Sequence, residues 1–172
     1  MIEVIPNWHP LLVHFPIALI TMSVVFHLAA RQMGSQPYRT SHFSVLAHST
    51  LWLGALTALP TAIFGWLASN TVDHSEAAHA AMMLHRSWAL ATLFALAILA
   101  GWDAWRHKVD ALPTRTFAGA VILAWVLIAS TAWHGAELVY RHGIGVMVLQ
   151  DAHAEQDIAP HDEVAHDHGH AH

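Results

Sequence analysis

The chain has 172 residues, of which 55% are hydrophobic and 11% charged, with a formal net charge of -5 and a mean hydropathy of +0.41. Soluble domains carry about 25% charged residues, so the composition points to a membrane protein. There is no cysteine, which excludes disulfides, thiolate metal sites, covalent c-type haem and a catalytic thiol together, whereas histidine occurs 17 times.

Four apolar segments follow one another, at about 10–31, 43–69, 82–106 and 115–142. Each reaches the roughly 20 residues that an α-helix needs to cross about 30 Å of hydrocarbon. The expected architecture is all-α: a four-helix transmembrane bundle over 1–149, followed by an acidic, His-rich tail over 150–172. Six of the twelve acids lie between Asp151 and Asp167, so the negative charge belongs to the tail, and no basic patch points to nucleic acid.

The first segment opens with NWHPLLVHFPIAL. Glu3 is the only charge before it and there is no basic n-region, so a retained span is expected in place of a cleaved signal peptide. Pro10 suits a first helical turn capped by Asn7. Pro16 lacks the N–H that would bond the Leu12 carbonyl, which predicts a bent or unwound turn near His14. In the second segment Pro60, flanked by Thr57 and Thr61, predicts a kink with freed backbone groups recaptured by hydroxyls. The third opens with the pair His85-Arg86; the fourth ends with His134, Glu137, Arg141 and His142.

Five of the seven basic residues, Arg31, Arg39, Arg106, Lys108 and Arg115, flank the first and third loops. The positive-inside rule then places both termini on the periplasmic side of a bacterial inner membrane. On that topology His9, His14, His85 and His142 share the outer level, with His134 about 12 Å deeper. His27 and His48 share a depth near the opposite face, where they form a candidate second cofactor site. Any one interfacial histidine can simply cap a helix or meet a headgroup, but four from three helices suggest a site, because ionisable groups in spans usually face a bundle interior.

Neutral imidazole ligates haem iron, copper or zinc without needing a counter-charge. A porphyrin fits between the helices of a bundle, with iron held by imidazoles from facing helices. Haem b is therefore the expected cofactor, with His14, His85 and His142 as candidate iron ligands beside His9. Gly65, Ala68 and Ala89 are positioned to leave a slot. Arg86 and Arg141 stand either as propionate partners or as arginines reaching for headgroups. Glu137, three residues from His134, is placed to orient an imidazole or relay a proton from a quinone. His9 and His14 lie about 140° apart on an ideal helix, so only an unwound turn lets both point inward.

The tail contains His153, His161, His166, His168, His170 and His172. Its alternating spacing suits Cu, Ni or Zn, and its composition predicts disorder without a ligand.

HPLLVHFPIAL at His9 to Leu19, GAELVYRHGIGV at Gly135 to Val146 and the His-Arg pair opening the third segment resemble the bacterial membrane family filed as domain of unknown function 2231. The resemblance runs from about Trp8 to Val146. It implies a four-helix integral membrane domain in which His9, His14, Glu137 and His142 match the family's motif positions, while His134 departs from the pattern. It implies no activity.

Two functions stay open on the sequence. One is a b-type cytochrome, an electron carrier or complex subunit working between quinone and a periplasmic redox protein. The other is a membrane protein that handles Cu, Ni or Zn through the outer histidines and the tail. An assembly subunit without cofactor is a third.

Overall fold

A computed structural model describes residues 8–33, 37–71, 76–106 and 114–146. The tail, with its candidate metal ligands His161, His166, His168, His170 and His172, lies outside the described residues. Five helices are present: α1 (His9–Leu12), α2 (His14–Gln32), α3 (Pro37–Ser69), α4 (Glu76–Arg106) and α5 (Arg115–His142). Four stretches are long and apolar enough to span a membrane, His9–Gln32, His42–Ser69, Ala78–Arg106 and Arg115–His142, the first comprising α1 and α2. The architecture is an all-α transmembrane bundle, with no strand among the described residues.

Helix limits differ from the sequence expectation at two starts. α3 begins at Pro37, where proline's fixed φ suits a first turn. α4 begins at Glu76, ahead of the apolar run, because EAAHAAMM joins strong helix formers to an acid in the first turn. α5 has the sharpest ends. The Thr114 side chain accepts a hydrogen bond from Phe117 N–H at 3.2 Å. At the other end Gly143 adopts φ 63°, and the N–H groups of Gly143 and Ile144 bond Val139 O and Leu138 O.

The expected disturbance at Pro16 takes the form of a turn at Val13 that separates α1 from α2. The Thr61 hydroxyl of α3 lies 3.3 Å from the Leu12 carbonyl that Pro16 leaves without its helical donor, and 2.8 Å from Thr57 O. α3 stays helical through Pro60.

The core joins all four spans through Ile20, Leu51, Leu96, Leu99, Phe117, Val121, Ala124 and Ile128. The Ile20 side chain packs onto Gly54, where an added Cβ would fall 2.6 Å from Ile20 Cδ1, a use of small residues common between membrane helices. The outer surface is apolar: Phe94, Leu56, Ile63 and Leu123 all point outward, as lipid-facing side chains do.

The bundle also repeats internally. Buried Pro16, Ile20, Ser23 and His27 of α2 correspond to buried Thr92, Leu96, Leu99 and Asp103 of α4, displaced by 76 residues. Buried Ala47, Leu51 and Gly54 of α3 correspond to Phe117, Val121 and Ala124 of α5, displaced by 70. The α1–α3 unit and the α4–α5 hairpin thus present equivalent faces to one another.

Candidate functional site

His9 begins α1 and His85 sits near the start of the span in α4, so the two hairpins bring them to the same end of the bundle. Their ring centroids are 6.3 Å apart with planes at 76°. His9 Nδ1 is 3.0 Å from Thr61 O of α3, and His85 Nδ1 is 3.1 Å from Thr131 O of α5. A carbonyl oxygen only accepts, so each Nδ1 carries the proton and donates, which leaves each Nε2 with the lone pair. The two nitrogens of an imidazole point in roughly opposite directions. Each ring nevertheless lies edge-on along its bracing helix, with His9 Nε2 3.5 Å from the place of a Gly65 Cβ and His85 Nε2 3.9 Å from that of a Gly135 Cβ.

A glycine one turn beyond each carbonyl makes this possible. A Cβ on Gly65 would lie 2.8 Å from His9 Cε1, and one on Gly135 would lie 3.1 Å from His85 Cε1. The motif is the same on both sides: TAIFG at 61–65 and TAWHG at 131–135. Sequence reasoning placed Gly65 in a slot but missed Thr61, Thr131 and Gly135 as partners of the histidines. The repeated Thr-Ala-x-x-Gly, 70 residues apart, is the signal that points to them.

The other expected residues are distributed around this pair. His14 is exposed, its Nδ1 3.4 Å from Leu11 O one turn back in its own chain. His9 and His14 lie about 140° apart around the helix, so with His9 turned toward the neighbouring hairpin His14 points away from it. His142 is the last helical residue of α5, half-buried beside the Gly143 cap. Arg86 lies with Cζ 3.7 Å above the Trp66 ring, a cation–π contact. Arg141 donates to Glu137 at 3.0 Å, and the other Glu137 oxygen lies 3.6 Å from His134 Nδ1. His134 in turn stacks on Trp88 at 5.7 Å. These two rings help to line an open groove with Trp125, Val126, Ala129, Ser130 and Trp133.

At the opposite end His27 and His48 do meet, with ring centroids 5.9 Å apart. His48 Nδ1 is 2.7 Å from Asp103 Oδ2, which also accepts from Trp52 Nε1 at 3.2 Å. His27 Nδ1 donates to Ser23 O at 2.7 Å. Asp103, one turn from the end of α4, was not among the residues singled out from the sequence; it occupies the position equivalent to His27 in the repeat. Among the described residues no three His, Cys, Asp or Glu side chains gather so that they could hold a metal ion.

A family model described as "Predicted membrane protein (DUF2231)" matches residues 6–148. No curated protein and no solved structure matches the chain.

Proposed function

The chain belongs to this family of predicted membrane proteins, DUF2231, which assigns no activity; from the geometry of the site we propose that it is a b-type haem protein that carries electrons at the His9 end of the bundle. The observation that supports this reading is the facing pair of imidazoles, His9 and His85, each braced through Nδ1 on a backbone carbonyl of a neighbouring helix. Such bracing fixes the tautomer and the ring orientation of a metal-ligating histidine. Two imidazoles sharing one iron at about 2 Å each would have centroids up to roughly 6 Å apart, given the metal–nitrogen distances usual for histidine. The observed 6.3 Å matches that separation. Haem needs two protein ligands, whereas a zinc site takes three or four, so a pair suits haem better than a bare ion.

When bound, the haem supplies a one-electron couple. His9 and His85 would hold it between the hairpins, with their rings fixed by the Thr61 and Thr131 carbonyls and fitted against Gly65 and Gly135. Arg86 and Arg141, at the same end, are the cations available to the propionates. The positive-inside pattern supports a reading in which this end faces the periplasm of a bacterial inner membrane. The aromatic groove beside it, with the His134–Glu137 pair at its rim, suits a quinone ring, and a quinone and a periplasmic redox protein would be the partners between which electrons are carried. Cu, Ni or Zn handling by the tail is the alternative.

An absorption spectrum of the purified protein, oxidised and reduced, tests the proposal. A Soret band with sharp reduced α and β bands is expected, lost in His9→Ala and in His85→Ala and kept in His14→Ala. A colourless protein whose metal content follows the tail overturns it.

A further inference from the structure

The far end of the bundle holds a second polar centre that electron transfer at the His9 end does not use. Four buried side-chain atoms there have no hydrogen-bond partner within the protein: His27 Nε2, Ser44 Oγ, Asp103 Oδ1 and Arg106 Nη1. His27 is 1% exposed and Ser44 equally enclosed. They come from three helices and lie close together. Ser44 is one turn from His48 on α3, Asp103 and Arg106 are neighbours on one face of α4, and Phe117 of α5 touches both His27 at 5.5 Å and Arg106 at 4.8 Å. Polar groups buried in a span without partners carry a large penalty, and ordered water is the usual remedy. The four atoms divide evenly. Ser44 and Arg106 donate, while Asp103 Oδ1 and the lone pair of His27 Nε2 accept, which matches the two acceptor and two donor positions of a water molecule.

We propose that this cluster is a reversible proton-binding site served by internal water. Both imidazoles carry their existing proton on Nδ1. His27 donates it to Ser23 O and His48 to the Asp103 carboxylate, so each presents an Nε2 lone pair. A hydronium ion reaching the site gives its proton to one of these nitrogens: an O–H bond breaks, an N–H bond forms and a neutral water remains. With the rings 5.9 Å apart, two imidazolium charges would repel strongly, so the pair takes up one proton. The groups that face it are Ser23 and His27 from α2, Ser44, His48 and Trp52 from α3, Asp103 and Arg106 from α4, and apolar Phe117 from α5. Asp103 offsets the added charge and Arg106 opposes it, which keeps uptake reversible. Arg31 and His42, one turn or more closer to the end of α2 and the start of α3, continue the polar chain toward the aqueous phase.

The test uses the full chain in lipid nanodiscs with isotope-labelled histidines, titrated by NMR over about pH 5 to 8, the range in which imidazoles change charge. His27→Gln and His48→Gln identify the two resonances. Both rings are expected to move in one shared transition, which Asp103→Asn removes from that range and His14→Gln leaves in place. Rings that stay silent, or a transition unchanged in Asp103→Asn, overturn the proposal. Should Asp103→Asn fail to fold, the unaltered protein decides the matter: magnetisation exchange between water and the His27 ring is expected, and its absence overturns the site. The titration reads the same on protein prepared without haem, so failure of the cytochrome reading leaves it standing. A second haem per chain, lost in His27→Gln, overturns it.

Discussion

Two glycines set how closely the histidines can approach the helices that brace them. At Gly65 an added Cβ would lie 2.8 Å from His9 Cε1 and 2.9 Å from Nδ1, closer than side-chain carbons pack, so Gly65→Ala must push the imidazole off Thr61 O. At Gly135 the nearest approach to His85 is 3.1 Å, which a small ring movement relieves. Haem occupancy, measured from the Soret band per protein, is therefore expected to fall several-fold in Gly65→Ala and less in Gly135→Ala, with both proteins still helical by circular dichroism. Equal occupancy in all three would remove the carbonyl-braced pair from the account. The residue scale is also where the sequence was least sufficient. His9 and His14 were equally eligible on spacing, and only the rotation of the first span, which packing sets, decides which ring is inward and which exposed.

A single proline reorganises the first span. Pro16 takes away the donor of Leu12 O, the chain turns at Val13, and Thr61 spans the gap with its hydroxyl near Leu12 O and its own carbonyl on His9. Thr61→Val removes the hydroxyl and keeps the carbonyl. The expected cost is about 0.6 kcal/mol, the average for hydrogen bonds between membrane helices, measured by unfolding in mixed micelles. A second effect separates packing from positioning: haem dissociation should accelerate in Thr61→Val, because α1 keeps the Thr61 carbonyl on His9 but loses the hydroxyl tie at Leu12 O. The Thr92–Thr131 hydroxyl pair, at 2.8 Å between α4 and α5, is the corresponding tie in the other hairpin. Thr92→Val is expected to cost a similar amount while leaving the Thr131 carbonyl on His85.

Across the whole molecule, two hairpins with matching buried positions meet face to face. Leu96 of α4 and Phe94, two residues earlier, make the contrast clear: Leu96 is 1% exposed in the shared core and Phe94 is 69% exposed on the lipid side. Leu96→Ala is expected to destabilise the bundle by about 2–5 kcal/mol, through lost contacts and an unfilled cavity. Phe94→Ala should change the unfolding midpoint little, since its side chain meets lipid in the folded bundle. A reversal of that order in micelle unfolding would mean that the hairpins pack through different faces. The matched arrangement also accounts for the two polar centres. His9 and His85 are equivalent positions near one end, and His27 and Asp103 are equivalent positions near the other.

The sequence by itself determined the number of spans, their approximate limits and the level at which each histidine lies, because hydrophobic length and helical rise are local properties of the chain. It also marked the proline that breaks the first span. What the tertiary structure decided is the rotation of each helix. These spans are apolar nearly all round, so their periodicity carries little information about which face turns inward. Close packing settles that instead. At Gly54 the Ile20 side chain of α2 packs onto α3, and at Gly65 and Gly135 histidine rings are admitted to backbone carbonyls. NWHPLLVHFPIAL thus announces two histidines at one end of the membrane. The rotation of that helix and the carbonyl of Thr61 select His9 to face His85.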